Sequence, residues 1–402
     1  MTDNNCIISQ QPTANSQNAV SDVKVIPYYL PQFHTIPEND KAWGKGFTEW
    51  TTVKKAVPLF EGHYQPRVPL NKNYYCLLDD GVMESQAELA KKYGIYGFCY
   101  YHYWFKEGHK LLEKPLERML HNPNVDIPFC LHWPNETWTR NTWDGGGNEI
   151  IAEIDYSDKD DLKRHVDYLC EFFADPRYIK EDGKPFFIIY KPNEIPEVDE
   201  KIQYIRERVK ENGFPGIVIA ADLPSFFDCM TGTCNELSVD TYIQRQPNFA
   251  KKIYNFKKKI HNSRRPSTAK YIVKQLLDSL GLLKTLQKMK GAMHKKKLTV
   301  YNYDEIWQIN LKDIQADKMC IAGAFKDYDE TPRRKDGSMF LGATPEKFRE
   351  YMTRLVKKVR EEYTRQYIFL NAWNEWSEGS YIEPDERYGY AWLEAIRDAL
   401  NS

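Results

Sequence analysis

The 402-residue chain contains no run of eighteen consecutive apolar residues, so no membrane-spanning helix is expected in it. Neither charge sign is in excess. With 56 Lys and Arg against 57 Asp and Glu, the formal net charge is -1, which removes a global polyelectrolyte strategy and any expectation of a nucleic-acid partner. The first twenty residues, MTDNNCIISQQPTANSQNAV, have no basic start and no apolar core of signal-peptide length. Residues 1–22 are therefore expected as a disordered tail, and the protein as cytoplasmic. The eight cysteines are scattered; Cys229 and Cys234 lie close together, but no further His or Cys pair completes a zinc pattern. Reduced thiols are expected, with no metal and no cofactor. Glycine-rich phosphate loops are also missing after every apolar run, which weakens the alternative of an open doubly wound sheet with nucleotide-sugar-binding lobes.

Aromatics, by contrast, are abundant at 14%, including 27 Tyr and 10 Trp, a bias that suits the flat faces of sugar rings or an aromatic-rich core. Eight short apolar runs recur along the chain: Val23 to Tyr29, Gly97 to Tyr101, Pro128 to His132, Pro185 to Tyr190, Ile217 to Ala221, Val239 to Ile243, Met319 to Phe325 and Tyr367 to Ala372. They are continuous rather than alternating, as in parallel strands buried on both faces. Helical spacing separates several of them, as in Leu162, Val166, Leu169 and Phe173, or in Phe348, Met352, Leu355 and Val359 behind a Thr344-Pro345 start. Eight β-then-α units predict a single α/β domain over residues 23–402, a (β/α)8 TIM barrel with its chemistry at the carboxyl ends of the strands.

Residues 250 to 300 break that rhythm, with 13 Lys and 2 Arg against the single acid Asp278. An insertion at about 245–312 is expected, carrying a basic amphipathic helix through Ile272, Leu276, Leu277, Leu280 and Leu283. Such a helix suits peripheral contact with an anionic membrane, or it packs on its own barrel.

The last run ends in NAWNEWSEGSYIEPD, where Glu375 and Glu378 stand three apart among Trp373, Asn374 and Trp376. Neighbouring carboxyls cannot both ionise freely, and glycosidic cleavage uses that division between an acid and a base. Other strand ends offer stacking faces and hydrogen-bonding groups for a saccharide: Tyr28, His34, Glu49, Trp50, His102, Trp104, His132, Trp133, Asn135 and Glu136. Each also has a bland reading as core or loop structure. In KDYDETPRR, Asp327 and Asp329 form a three-letter DxD pattern of little specificity, while Arg333 and Arg334 suit a phosphate or an acidic sugar.

The stretches YYLPQFHTIPENDKAWGKGFTEWTTVKKAVPLFEGHYQPRVP, YGIYGFCYYHYWF, PFCLHWPNETWTR and FLNAWNEWSEGSYIEPD resemble the WbsX-type family of bacterial polysaccharide-cluster proteins. That family is usually described as glycosyltransferases and is similar to the glycoside hydrolase family 99 endo-mannosidases. The resemblance spans roughly residues 23 to 395 and fades through the basic insertion. It implies a (β/α)8 barrel, no metal and retention of anomeric configuration. It further implies catalysis by an E-x-x-E motif, matched at Glu375 and Glu378. Glu378 would be the general acid/base, and Glu375 would take the proton of the sugar 2-hydroxyl so that this oxygen attacks the anomeric carbon. The family's Asp-Asn-Thr-Pro-Arg-Arg string is matched at Asp329, Thr331, Pro332, Arg333 and Arg334, with Glu330 in the asparagine's place.

Three functions follow as expectations. The favoured one is a glycosyltransferase of surface polysaccharide biosynthesis, a lipopolysaccharide O-antigen or a capsule, taking a carbohydrate substrate and a nucleotide-sugar donor. The alternatives are a retaining endo-acting hydrolase and a non-catalytic carbohydrate-binding scaffold.

Overall fold

The apolar runs form a closed ring of parallel strands. They are β1 (Lys24–Tyr29), β2 (Phe98–Tyr101), β3 (Phe129–Trp133), β4 (Lys184–Ile189), β5 (Val218–Asp222), β6 (Thr241–Ile243), β7 (Cys320–Phe325) and β8 (Tyr367–Asn371). Each pairs with the next in chain order, and β8 returns to β1 with Val25 opposite Ile368. The computed structural model describes residues 23–140, 147–222, 238–244, 298–313 and 320–402. No helix among them is long and apolar enough to cross a membrane.

The outer layer comprises α1 (Val82–Lys92), α2 (Glu113–His121), α3 (Lys159–Phe173), α4 (Val198–Glu211), α5 (Tyr303–Asp313), α6 (Pro345–Glu362) and α7 (Ala391–Leu400). In α6 the Thr344 hydroxyl accepts from the Lys347 N–H, and Pro345 occupies the first turn, where no partner for its missing N–H is needed. Phe348, Met352, Leu355 and Val359 then fall on one buried stripe, each contributing about 1.5–3 kcal/mol by leaving water. The stripe meets α7, where Trp392 packs on Phe348 with ring centres 5.7 Å apart.

The span expected as an insertion reaches about residue 312, yet α5 belongs to the barrel's outer layer. Its Tyr303, Ile306 and Trp307 are buried, Trp307 stacks on Phe325 of β7 at 4.6 Å, and the Asn310 amide donates to the Gly323 carbonyl. Apolar and aromatic residues at helical spacing pull this segment onto the sheet. The N-terminal tail, the amphipathic stretch Ile272 to Leu283, Cys6, Cys229 and Cys234 lie outside the described residues. Cys76, Cys130 and Cys170 are free thiols, and Cys99 and Cys130 are fully buried opposite one another on β2 and β3.

Candidate active site

The carboxyl ends of the strands open into a cleft of about 510 Å³. Of the residues expected at the site, Glu49, Glu136, Arg333, Glu375 and Glu378 line it. Aromatic walls come from Trp43, Tyr101, Tyr103, Trp138, Tyr190 and Tyr328, with Arg334 beside Arg333.

The turn after β8 is held from several directions before its glutamates reach the cleft. The Asn374 amide brackets Leu30, accepting from its N–H at 2.7 Å and donating to its carbonyl at 3.0 Å, so a side chain continues the pairing of β8 with β1. Trp373 is fully buried and packs on Phe98, and its N–H donates to the Tyr28 carbonyl. Trp376 stacks on Tyr381 and donates its indole N–H to Glu383. The tryptophans that frame the motif therefore brace it from behind. Gly379 ends the turn in the left-handed region at φ +65°, and an added Cβ would stand 2.9 Å from the Arg67 guanidinium, so only glycine fits.

The two glutamates meet unlike partners. Glu375 accepts from the Tyr101 hydroxyl at 2.7 Å, whereas Glu378 is ion-paired with Arg333. Between them, the Ser377 N–H donates to Glu49 at 2.8 Å. Glu49 is buried, and that burial pushes its carboxyl up to about 7, against the hydrogen bonding of Ser377 and the charge of Arg333.

The remaining candidates are placed elsewhere. Tyr28 and His132 point into the barrel, where the Tyr28 hydroxyl donates to Asp222 and the His132 Nε2 lies 3.1 Å from the same carboxylate. His102 and Trp104 face α3: the His102 ring meets that of His165 at 2.9 Å, Nε2 to Nε2, and Trp104 stacks on His165. Trp133 packs on the same histidine. Asn135 is used up on Lys191 and Tyr156, Trp50 donates to the Tyr75 carbonyl, and His34 Nδ1 sits 3.1 Å from the Pro31 carbonyl. Burial lowers the His34 imidazole to about 4. Asp329 is fully buried and receives His63, Gln65 and Thr331. Burial works against its charge, but those hydrogen bonds and the nearby Arg67 hold its carboxyl well below the usual range. It ties loops together, and its N–H donates to the Glu378 carbonyl. No group of three or more His, Cys, Asp or Glu among the described residues is arranged to hold a metal.

Tyr101 and Tyr103 were missed through strand parity. Successive side chains on a strand face opposite sides, so in YHYW the tyrosines share the cleft and His102 and Trp104 the outer layer. Tyr328 comes from a loop, Trp43 from the end of the short helix Pro37–Trp43 and Trp138 from the two-residue strand Trp138–Thr139, stretches too short for a period to mark a direction.

The chain matches the family model described as "Glycosyltransferase WbsX" over residues 25–396. Two curated relatives, both "Uncharacterized protein WxcX" from strains of Xanthomonas campestris pv. campestris, are 32% identical over 98% of this chain. The chain spans about half the length of these relatives, 54%. A solved "glycoside hydrolase-like protein" shares the fold at 12% identity and a TM-score of 0.52, with 97% of each chain covered. A GH99 endo-alpha-mannosidase from Bacteroides thetaiotaomicron aligns over 95% of this chain and 96% of its own at 13% identity and a TM-score of 0.48.

Proposed function

Because the chain belongs to the WbsX glycosyltransferase family, we propose that it transfers a sugar from a donor to an acceptor during assembly of a surface polysaccharide, an O-antigen or a capsule, at the cleft holding Glu375 and Glu378. Its aromatic walls suit the C–H faces of sugar rings, and its carboxylates suit their hydroxyls.

The observation that carries the transferase reading is the ion pair of Glu378 with Arg333. In that ion pair Glu378 stands as a carboxylate, the form that can take a proton from an acceptor hydroxyl. Transfer from a phosphate-activated donor needs such a base: the acceptor hydroxyl gives its proton to Glu378, its oxygen forms the new bond at the anomeric carbon, and the phosphate leaves with the electron pair of the broken bond. The departing phosphate needs no proton. Arg334, also in the cleft, fits the phosphate. Glu375, held by Tyr101, would stabilise the positive charge that develops at the anomeric centre. The basic span 250–300 would bring the enzyme to anionic lipid carrying the acceptor.

A retaining hydrolase is the second reading, favoured by two carboxyls in one cleft with different partners. Incubating the purified protein with nucleotide sugars and, separately, with α-mannosides, followed by mass spectrometry, separates the two. Nucleotide release is expected; release of a reducing sugar with no nucleotide would replace the transferase by the hydrolase.

A further inference from the structure

Glu49 enters the cleft from outside the last strand, at the start of the short helix Glu49–Lys55. Its backbone is fixed, since its N–H donates to the Gln32 carbonyl and its carbonyl accepts the Thr52 hydroxyl. The side chain is only 1% exposed, and its two oxygens differ. Oε1 accepts the Ser377 N–H in the middle of the Glu375–Glu378 turn, while Oε2 is buried and has no hydrogen-bond partner among the described residues. A buried polar atom without a partner is costly, and here it belongs to a side chain that lines the substrate cleft.

We propose that Glu49 is a positioning residue which binds one hydroxyl of the saccharide through Oε2 while Oε1 fixes the turn that carries Glu375 and Glu378. This rests on the saccharide reading above. The charged groups facing it are Arg333, from the loop after β7, and Glu375, from the turn after β8; the first favours the ionised form and the second the neutral one. Burial outweighs both, so below about pH 7 Glu49 keeps its proton and donates it in a hydrogen bond to the sugar oxygen, and no further negative charge is placed beside Glu375. A sugar lacking that hydroxyl would leave the buried carboxyl unpaired, the situation in which polar sites discriminate most strongly.

The test combines Glu49→Gln and Glu49→Ala with substrates whose hydroxyls are removed one at a time. Glutamine can accept from Ser377 and donate to the sugar; alanine can do neither. Glu49→Ala is expected to lower kcat/KM about 100-fold, and Glu49→Gln to recover most of that loss. Wild-type binding is expected to weaken as pH rises through about 7, and the Gln variant to lack that dependence. One deoxy sugar should be penalised in the wild type and not in Glu49→Ala. If no hydroxyl couples to position 49, or if Gln is as damaged as Ala, the assignment fails. A ligand-free measurement separates this failure from failure of the saccharide reading. The carbonyl stretch of a protonated carboxyl should titrate near neutrality and vanish in Glu49→Gln, and Ser377 amide exchange should accelerate in Ala only. Should no saccharide bind the wild type while both signals appear, the substrate class falls and the hold on the turn stands. Absence of both signals would overturn the proposal itself.

Discussion

Tyr101 and Tyr103 line the cleft at the carboxyl ends of the strands, whereas His102 and Trp104, interleaved with them, sit in a closed layer beneath α3. The first pair adjoins a carboxylate and open volume. The second is sealed among His165, Tyr168 and Trp133. Four consecutive aromatic residues thus divide between the cleft and a packed layer, and the alternation of the strand alone makes the division. Substitutions in the cleft should cost turnover, and those in the layer should cost folding.

The largest effect is expected at the turn after β8. Glu378→Gln should lower turnover about 10²–10⁴-fold, the range for a positioned proton-transfer group, with little change in the thermal unfolding midpoint. Activity close to wild type would remove Glu378 from the chemistry. On the other face, Trp104→Ala should destabilise the fold by about 3–5 kcal/mol in urea unfolding while the folded fraction keeps its specific activity. A loss of activity without a loss of stability there would erase the contrast between the faces.

Tyr101→Phe removes one hydrogen bond to a carboxylate, worth about 1.5–3 kcal/mol, so a 10- to 100-fold fall in turnover is expected with a smaller effect on folding. The sealed layer should also show an acid limit that the cleft does not share. Burial lowers His102 to about 3 and His165 well below the ordinary value of 6.5. In the folded state one ring's N–H donates to the other's bare nitrogen, so both are neutral. The unfolded chain takes up protons from about pH 6.5 downward and the folded chain does not. The stability contributed by this pair is therefore present above about 6.5 and lost progressively as pH falls toward 3. Denaturation midpoints across that window check it, and replacing His165 by Gln should flatten the slope. The smallest effect belongs to Glu136 at the cleft rim, paired with Lys191 and 46% exposed. Glu136→Gln should change stability by less than about 1 kcal/mol.

The ring of the barrel was legible because burial on both faces demands unbroken apolar runs, and all eight strands lie where those runs stand. The boundary of α5 was not, although Tyr303, Ile306 and Trp307 carry the helical spacing, because the lysine-rich stretch before them set the composition of the whole span. At the site, Glu375 and Glu378 were visible as carboxylates closing an apolar strand. Asp329, which stood in a DxD pattern of little specificity, is enclosed by His63, Gln65 and Thr331 and works as a tie between loops. Tyr101 could have been found by counting parity outward from Tyr28 and Cys99, which pair across β1 and β2.

The order of local patterns along the chain determined the ring of strands and put a pair of acids at its final edge, since periodicity and burial are properties of neighbours in sequence. Only closure of the ring decided that Glu49 reaches Ser377, that Tyr101 reaches Glu375 and that Arg333 takes Glu378, contacts made across 328, 274 and 45 residues. Those meetings depend on which way each side chain leaves its strand or loop, and on what the barrel brings opposite it.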